Sequence, residues 1–445
     1  MGEHTGRKIF WNKIKNSKAS QVMSITSVGM GITLLLDILI AARFGTTETA
    51  DSLIIALLLP LFLDNVSRES TKYSLIPVFI QYKEEQEFTD YNSFISGLIN
   101  LLLVITLILS GIVFFLSPHI ISIIGPGLSE EAIHTSSSIL IVLIPLIIVL
   151  PVISILSANL NSNKKFNIVA IRNLIIPTIV IFCMVISWSS DITYMFVALG
   201  YSLGFALYGF VLWSVAKNSG YTHTWWILSS MSDLKKIRAA LSWPTMGFMI
   251  RQSGRVAEKS IASVVGIGGV SGYYYGYRFY SAIQTIVGTS VATTSLPDLS
   301  MEKNAHNFKK MMLKSISIIL FISIPIAVIS ATFSEQIIHF VFSRGNFDIA
   351  SIEQTSVVLF WLSFGIIFSC MLPLLNSALY ARKRFKIVFL NMSFLTFTNI
   401  ILGIIFTSVW GLGGLAISVS VTSFIGVVIL MVVNSYSVNR GMDHE

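Results

Sequence analysis

The sequence predicts an all-α polytopic membrane protein with about twelve transmembrane helices. Two observations lead to this fold class. The chain of 445 residues is 54% hydrophobic and only 12% charged, whereas an ordinary soluble domain is about 25% charged. Apolar runs of about 20 residues, the length that a helix needs to cross the hydrocarbon core, recur along the whole chain. No large hydrophilic block separates them, so no soluble domain is expected.

The apolar runs form two sets of six. The first set lies at 20–43, 50–81, 92–117, 132–158, 166–187 and 191–216, and the second at 238–264, 272–298, 309–332, 351–380, 385–407 and 410–433. Lys and Arg concentrate in alternate loops, which is typical of cytoplasmic loops in membrane proteins. This alternation predicts an even number of spans, with both termini cytoplasmic, in a multi-pass protein of the bacterial cytoplasmic (inner) membrane.

Basic residues and cysteines exclude several classes of function. The formal charge of +8 is spread over short loops rather than one soluble face, so nucleic acid is not an expected partner, whereas anionic membrane lipids are. Cys183 and Cys370 both lie within apolar runs, and their spacing fits neither a disulfide framework nor a metal site. No nucleophile or phosphate-loop motif appears, so neither a cofactor nor an enzyme is predicted.

Internal repeats predict two lobes of six helices each. The decapeptide NLNSNKKFNI, ending at Ile168, resembles ALYARKRFKI, ending at Ile387, and the run from Gly127 matches the run from Gly345 in spacing and polarity. Residues 45–77 likewise correspond to residues 266–297, so all three pairs share an offset of about 220 residues. An even number of helices in each copy makes the repeats parallel, around a central cavity that suits alternating access.

These repeats give the predicted boundaries. A basic cytoplasmic or interfacial segment covers residues 1–19, the N-lobe covers 20–225, the C-lobe covers 226–434 and a cytoplasmic tail covers 435–445.

The seventh run carries a polar stripe inside an apolar segment. At helical spacing its charged residues fall on one face; they are Arg251, Arg255, Glu258 and Lys259. A charge in hydrocarbon costs about 2.5–3.5 kcal/mol on insertion scales, so it usually lines a cavity or finds a partner. The alternative is an Arg255–Glu258 pair with a snorkelling Lys259. That alternative leaves Arg251, near the middle of the span, unexplained.

The eighth run places Arg278 on a polar helix face, one that continues through Ser281, Thr285 and Thr289. Five tyrosines surround its outer end, where aromatic belts occur; they are Tyr273, Tyr274, Tyr275, Tyr277 and Tyr280. Arg278 is therefore either an interfacial arginine or a cavity ligand, and its spacing alone leaves both interpretations open.

Two helices of the first repeat also carry charge. Asp64 and Arg68 are four residues apart in the second run, so they either form a local ion pair or contact a ligand. Asp37 lies deep in the first run. It is a candidate for Na⁺ or H⁺ coupling, or for a salt bridge to an arginine across the cavity. Surplus guanidinium groups favour an anionic ligand such as a diphosphate head group.

Several of these segments resemble the MurJ/MviN lipid II flippases of the multidrug/oligosaccharidyl-lipid/polysaccharide exporter superfamily. The resemblance lies in AARFGTTETADSLIIALLLPLFL with SLIPVFIQY, in IASVVGIGGVSGYYYGYRFYSAIQTIVGTSVATTSLPDLS, and in FSRGNF with ALYARKRFKI. It covers nearly the whole chain in order. It implies two six-helix lobes and export of an undecaprenyl-diphosphate-linked sugar precursor to the outer leaflet. The membrane potential, Na⁺ and H⁺ are the candidate energy sources.

The resemblance also assigns residues. It places Arg278 at an essential cavity arginine and Asp37 at an acidic residue of the first helix. The chain departs from the family at Met30 and Leu36, where the family has arginines, and at Asp64 and Asn65, with Arg68 one turn later. The family continues with two further helices that form a groove for the lipid tail, whereas this chain stops after the twelfth. Cell-envelope biosynthesis enzymes are implied as partners.

Four functions are weighed on these grounds. The first is a flippase for lipid II or for a capsule or exopolysaccharide repeat unit. The second is an ion-coupled drug exporter of the same superfamily, which would favour a carboxylate-rich cavity. The third is a membrane glycosyl-polymerising or ligating enzyme, which would need a large outer loop or a carboxylate cluster. The fourth is a scaffold without transport. The basic stripe favours the flippase, with Arg251, Arg255, Lys259, Arg278 and Arg68 binding substrate.

Overall fold

The structure, a computed structural model, describes residues 18–71, 75–76, 78–80, 88–225, 231–302, 304–382 and 384–440. Every regular element among these residues is a helix. The chain is thus an all-α polytopic membrane protein, as predicted. Residues 1–17 and 441–445, and with them most of the predicted N-terminal segment and part of the tail, lie outside the described residues, as do Lys72 and Pro77.

Eight helices account for the first six apolar runs: α1 (Lys18–Phe44), α2 (Glu48–Ser70), α3 (Phe88–Ile124), α4 (Glu130–Val142), α5 (Ile144–Ser162), α6 (Phe166–Ala170), α7 (Arg172–Ile186) and α8 (Thr193–Lys217). The fourth run is divided between α4 and α5 at Leu143, where Pro145 follows near the start of the new helix. The fifth run is divided between α6 and α7 at Ile171.

The other helices account for the second six runs: α9 (Met231–Ser263), α10 (Gly269–Ile283), a π-helical turn (Gln284–Thr289), α11 (Ser290–Met301), α12 (Ala305–Thr332), α13 (Ser334–Phe342), α14 (Ile349–Ala381) and α15 (Phe385–Arg440). The backbone of α15 is not helical at Trp410 and Gly411, where Gly411 has a φ of 55°. The eleventh and twelfth runs are therefore two helical segments joined by a kink.

Hydropathy separates two segments from all the others. Among the described residues, nine helices are long and apolar enough to cross a membrane, and α15 alone covers two runs. The seventh run (α9) and the eighth run (α10, the π turn and α11) fail this test. These two segments carry Arg251, Arg255, Glu258, Lys259 and Arg278, and these charges lower their hydropathy.

The described residues pack as two compact units. The first comprises Met1–Ile40, Ala56–Ile121 and Ile133–Met249, and the second comprises Ala41–Ile55, Ser122–Ala132 and Ile250–Glu445. The second unit thus includes two short stretches from the first repeat. The lobe boundaries predicted from the sequence stay a prediction. They divide the chain by its repeats, whereas the two units divide it by packing, so the units do not test them.

In the first unit, an extended strap, residues 218–225, follows α8 and packs along α3. Asn92 donates to the Gly220 carbonyl at 3.2 Å, Ser96 bonds the Tyr221 hydroxyl at 3.0 Å, and Asn100 donates to the Thr224 carbonyl at 2.9 Å. The three polar residues of α3 are four apart, so they form one stripe. Burial lowers the pKa of His223 and raises that of Tyr221.

In the second unit, α14 lies at the centre and packs against α10, α12 and α15. Two small residues allow the eighth segment to approach it closely. A Cβ atom on Gly276 would lie 2.8 Å from a methyl of Val358, and one on Gly288 would lie 2.5 Å from the Cys370 carbonyl oxygen. The second contact is with backbone, which cannot move aside as a side chain can.

We expect Gly288→Ala to destabilise the second unit by about 1–3 kcal/mol, because its new methyl overlaps the backbone of α14. Gly111→Ala is the matched control, since nothing lies within 4 Å of the Cβ position on Gly111. Alanine at position 111 should leave the free energy of unfolding at the wild-type value or raise it by up to about 1 kcal/mol. Thermal unfolding in detergent measures both; equal melting temperatures for the two variants would contradict the close approach.

Candidate functional site

The candidate site is the cationic cluster of the second unit, which we define as Arg251, Arg255, Lys259 and Arg278. Lys259 lies within electrostatic range of Arg255, Glu258 and Arg278. Tyr277 lies within range of Arg251, Arg255 and Glu258. The structure therefore brings the charges of α9 and α10 together, as expected for a shared site. With Glu258 the only carboxylate in this group, the cluster keeps a surplus of positive charge.

Glu258 is held by neutral donors rather than by Arg255. Its carboxylate accepts hydrogen bonds from the Tyr273 hydroxyl at 2.9 Å and from the Asn399 amide at 2.7 Å. Ser418 donates to the Asn399 side-chain oxygen at 3.1 Å. The network thus joins α9, α10 and both segments of α15. Because these donors satisfy Glu258, the alternative Arg255–Glu258 pair is not formed, and Arg255 is exposed.

The tyrosines of α10 are mostly interior residues, which corrects the aromatic-belt interpretation. Tyr273, Tyr275 and Tyr280 are buried. Tyr273 binds Glu258, Tyr275 donates to the Gly45 carbonyl at 3.3 Å, and Tyr280 bonds the Ser423 hydroxyl at 3.1 Å. A buried tyrosine needs a polar partner for its hydroxyl, and each of these has one. The aromatic cluster therefore packs α10 into the unit.

Arg278 is half-buried on the same helix, which begins at Gly269. The hydroxyls that follow it on its polar face are satisfied locally: Ser281 donates to the Arg278 carbonyl at 3.0 Å and Thr285 to the Ser281 carbonyl at 2.8 Å. These hydrogen bonds to carbonyls of the preceding turn satisfy both hydroxyls, so neither hydroxyl needs a ligand as its partner. Among the residues on this polar face, Arg278 is the one that carries a charge.

The first unit holds a buried ion pair that the sequence did not predict. Arg172 of α7 donates two hydrogen bonds to the carboxylate of Asp64 of α2. Its Nη1 atom donates to Oδ1 at 2.9 Å, and its Nη2 atom donates to Oδ2. Its guanidinium carbon also lies 4.9 Å from the centre of the Phe205 ring. Asp64 is 3% exposed. Arg172 escaped notice although it is a charge inside an apolar run, the same signal that singled out Arg278.

Arg68 does not pair with Asp64. It contacts Asn65 at 2.8 Å and Glu69 at 3.3 Å, and its side chain is 51% exposed. Of the two interpretations offered by the sequence, the local ion pair does not form, because Asp64 pairs with Arg172 on another helix. Asp37 is buried in the first unit at 2% exposure. The structure places Asp37, Asp64 and Arg68 in the first unit and the cationic cluster in the second.

This arrangement suits an anion better than a cation. The cluster presents surplus positive charge, and arginine binds phosphate oxygens through two parallel hydrogen bonds. Within the described residues, no group of three or more His, Cys, Asp or Glu is placed to hold a metal ion. A carboxylate-rich cavity, which a cation exporter would favour, does not occur at the cluster.

Comparison with known proteins identifies the family. The family model described as lipid II flippase MurJ matches residues 40–439. The chain belongs to this family. A probable lipid II flippase MurJ from Buchnera aphidicola subsp. Acyrthosiphon pisum is 26% identical over 94% of this chain and 83% of that protein. The lipid II flippase MurJ of Thermosipho africanus is 27% identical over 89% of this chain and 81% of its own length.

Solved structures agree on the fold. A lipid II flippase MurJ in an inward closed conformation matches with a TM-score of 0.84 at 24% identity, over 92% of this chain and 86% of that one. A MATE-family multidrug resistance transporter in an inward-facing conformation matches with a TM-score of 0.77 at 12% identity, over 96% and 100%. At such identities these likenesses establish the fold alone. With the family shown, the drug-exporter, enzyme and scaffold alternatives are not favoured.

We expect Arg172→Met to destabilise the first unit by about 3–5 kcal/mol, because it leaves the Asp64 carboxylate buried without its partner. Asp64→Leu together with Arg172→Met should recover most of that loss, since an apolar pair of similar volume replaces the ions. Arg68→Ala is the control and should change stability by less than about 1 kcal/mol. If the double variant unfolded at the same temperature as Arg172→Met, the ion-pair explanation would be wrong.

Proposed function

We propose that this chain is a flippase that moves lipid II, a polyprenyl-diphosphate-linked saccharide, from the cytoplasmic to the outer leaflet by alternating access. The observation that carries the proposal is the cationic cluster of α9 and α10 in a chain of the MurJ family. The relatives bear the name lipid II flippase, and the substrate in that name is the one proposed here. The proposed activity is transport without chemical conversion.

The cluster supplies what a diphosphate head group needs. Arg278, Arg251 and Arg255 would donate to phosphate oxygens, and Lys259 would add a fourth positive charge. Charge-assisted hydrogen bonds of this kind are roughly twice as strong as neutral ones, and scarce water strengthens them further. Glu258 stays bound to Tyr273 and Asn399, so it need not compete for the arginines. Arg68, exposed in the first unit, is the contact proposed for that half of the chain.

The energy source belongs to the same proposal. Export of an anionic head group can be driven by the membrane potential, or by Na⁺ or H⁺. Glu258 is one candidate for ion coupling, because its carboxylate is buried and is held by the Tyr273 hydroxyl and the Asn399 amide, two neutral donors. Asp64 serves in a charge pair instead, since Arg172 already binds it. Asp37 keeps the coupling role proposed from its position in the first run.

Cellular context completes the proposal. We place the chain in the bacterial cytoplasmic membrane with both termini in the cytoplasm, on the strength of the Lys and Arg alternation. Enzymes that make and use the lipid-linked precursor would be its partners. Anionic lipids would gather at its basic cytoplasmic loops.

The direct test is rescue. In a bacterium depleted of its own lipid II flippase, expression of this chain should restore growth and outer-leaflet lipid II, measured by an enzyme that cleaves the lipid only on the outer side. A chain that restored export of a capsule repeat-unit lipid but not of lipid II would contradict the substrate. Failure to restore either lipid, at normal abundance, would contradict the flippase function.

Neutralising the cluster should abolish rescue without lowering abundance. We expect Arg278→Ala to reduce transport about 10- to 100-fold, the value of one or two hydrogen bonds to a charged group. Arg278→Lys should recover only part of the lost transport, because lysine lacks the planar guanidinium that forms two parallel hydrogen bonds. Arg251→Gln with Arg255→Gln should also fail to rescue. Arg384→Ala, an exposed arginine of the same unit, is the control. Wild-type transport by the double glutamine variant would show that α9 does not hold the substrate.

A further inference from the structure

The Arg172–Asp64 pair of the first unit leaves most donors of its arginine unused. A guanidinium carries five N–H groups, and Asp64 accepts from two of them. Among the residues that the structure describes, no other residue accepts a hydrogen bond from the Arg172 side chain. That side chain is 17% exposed, against 5% for Asp64. The remaining N–H groups of Arg172 are therefore available to a ligand.

Arg172 is also held in one position. Its two parallel hydrogen bonds to Asp64 fix the plane of the guanidinium, and the ring of Phe205 lies against it at 4.9 Å. Phe205 is buried, so its ring packs behind the guanidinium rather than against a ligand. On the next residue, a Cβ atom added to Gly29 of α1 would lie 2.8 Å from the Asn173 carbonyl oxygen. Close packing of α1 against α7 thus supports the same point of the helix.

The pair lies inside two membrane-spanning helices. Arg172 is six residues from the start of the span Phe166–Ile186, and Asp64 is six residues from the end of the span Glu48–Ser70. Each is therefore about 9 Å from the helix end that the Lys and Arg alternation assigns to the cytoplasmic side. Replacing a buried ion pair by apolar side chains of similar volume is often neutral or stabilising. Stability alone does not explain why charges occupy these positions.

The charges in this part of the first unit are balanced. The hydroxyl of Tyr208 lies within electrostatic range of Arg172, Asp64 and Arg68. Arg172 pairs with Asp64, and Arg68 contacts Glu69 at 3.3 Å. A phosphate that approached Arg172 would be repelled by the Asp64 carboxylate, which cancels much of the attraction. Hydroxyl and carbonyl oxygens of a sugar carry no net charge, so they can accept from Arg172 without this repulsion.

We propose that the Arg172–Asp64 pair binds the saccharide of the lipid-linked substrate, with Arg172 donating to sugar oxygens and Asp64 as the positioning residue that orients the guanidinium. The proposal rests on the flippase function proposed above and deepens it. It assigns the diphosphate to the cationic cluster of the second unit and the saccharide to a neutral pair of the first. The pair thus selects the sugar without competing for the phosphates.

A binding comparison with two lipids tests the assignment. The probes are lipid II and the same polyprenyl diphosphate without its sugar, each titrated into the purified full chain in detergent. Asp64→Leu with Arg172→Met should weaken lipid II binding about 10- to 100-fold, the value of one or two hydrogen bonds to a charged group. Binding of the sugar-free diphosphate should stay at the wild-type level, because that group binds the cationic cluster. Thermal unfolding checks that the double variant is folded.

The controls separate the pair from the cluster. Arg278→Ala should weaken the binding of both lipids, since both carry the diphosphate. Lys217→Met removes an exposed positive charge of the first unit, at the end of α8, and should change neither affinity. If the double variant lost both lipids equally, the pair would bind the diphosphate and the saccharide assignment would be wrong. Wild-type affinity of the folded double variant for lipid II would show that the pair is only structural.

Two conservative variants keep the pair testable if the double variant does not fold. Arg172→Lys keeps the charge beside Asp64 but loses the planar guanidinium, so it should weaken lipid II binding and leave the sugar-free diphosphate unchanged. Asp64→Asn removes the carboxylate that repels phosphate, so it should weaken lipid II binding but tighten binding of the sugar-free diphosphate. A merely structural Asp64 would not tighten any binding. Unchanged affinities for both lipids in both variants would overturn the proposal.

The outcomes also separate this proposal from the flippase function. If the chain rescued lipid II export but the Arg172 variants bound lipid II as tightly as the wild type, the flippase function would stand and the saccharide site would be wrong. If the chain rescued no lipid II export but preferred lipid II to the sugar-free diphosphate only while Arg172 was present, the saccharide site would stand and the flippase function would be wrong.

Discussion

The cost of a charge in hydrocarbon is the constraint on which the rest of this structure depends. The protein meets it in three ways at its buried carboxylates. Asp64 takes an ionic partner, Arg172; Glu258 takes neutral donors from two other helices; and Asp51 takes the N-terminus of a helix. The cationic cluster brings four positive side chains near one carboxylate, Glu258. Positive charge inside a membrane segment is what an anionic head group requires.

Polar membrane segments need packing that compensates for their low hydropathy. Neither α9 nor the α10–α11 segment is apolar enough to be recognised as a span by composition. They are held by specific contacts instead: the buried tyrosines of α10 bond to other helices, and Gly276 and Gly288 allow close approach to α14. This combination lets a helix carry Arg278 in a half-buried position without a large loss of stability. Function and fold thus place demands on the same residues of α10.

Periodicity and charge predicted the helices, the repeats and the residues of the cluster, because each of these is a local property of the chain. The partners of buried charges are not local. Asp64 and Arg172 are 108 residues apart in sequence and Glu258 and Asn399 are 141 apart. The sequence offered Asp64 either a local i,i+4 partner or a ligand, and neither alternative pointed to Arg172. The tyrosines were assigned to an aromatic belt because an interfacial and a buried tyrosine look alike until the partner of the hydroxyl is known. Arg172 was overlooked despite carrying the signal that identified Arg278.

Repeat symmetry leaves one buried carboxylate without an equivalent. Asp51 accepts hydrogen bonds from the backbone N–H groups of Gly268 and Ser271 at the start of α10. Asp51 corresponds to Gly272 in the second repeat, because Gly45 corresponds to Gly266, so no carboxylate at the equivalent position can cap α2. The carboxylate of Asp51 therefore stabilises only α10, the helix that bears both Arg278 and the tyrosine that holds Glu258. The asymmetry between the repeats thus lies in the helix of the cationic cluster.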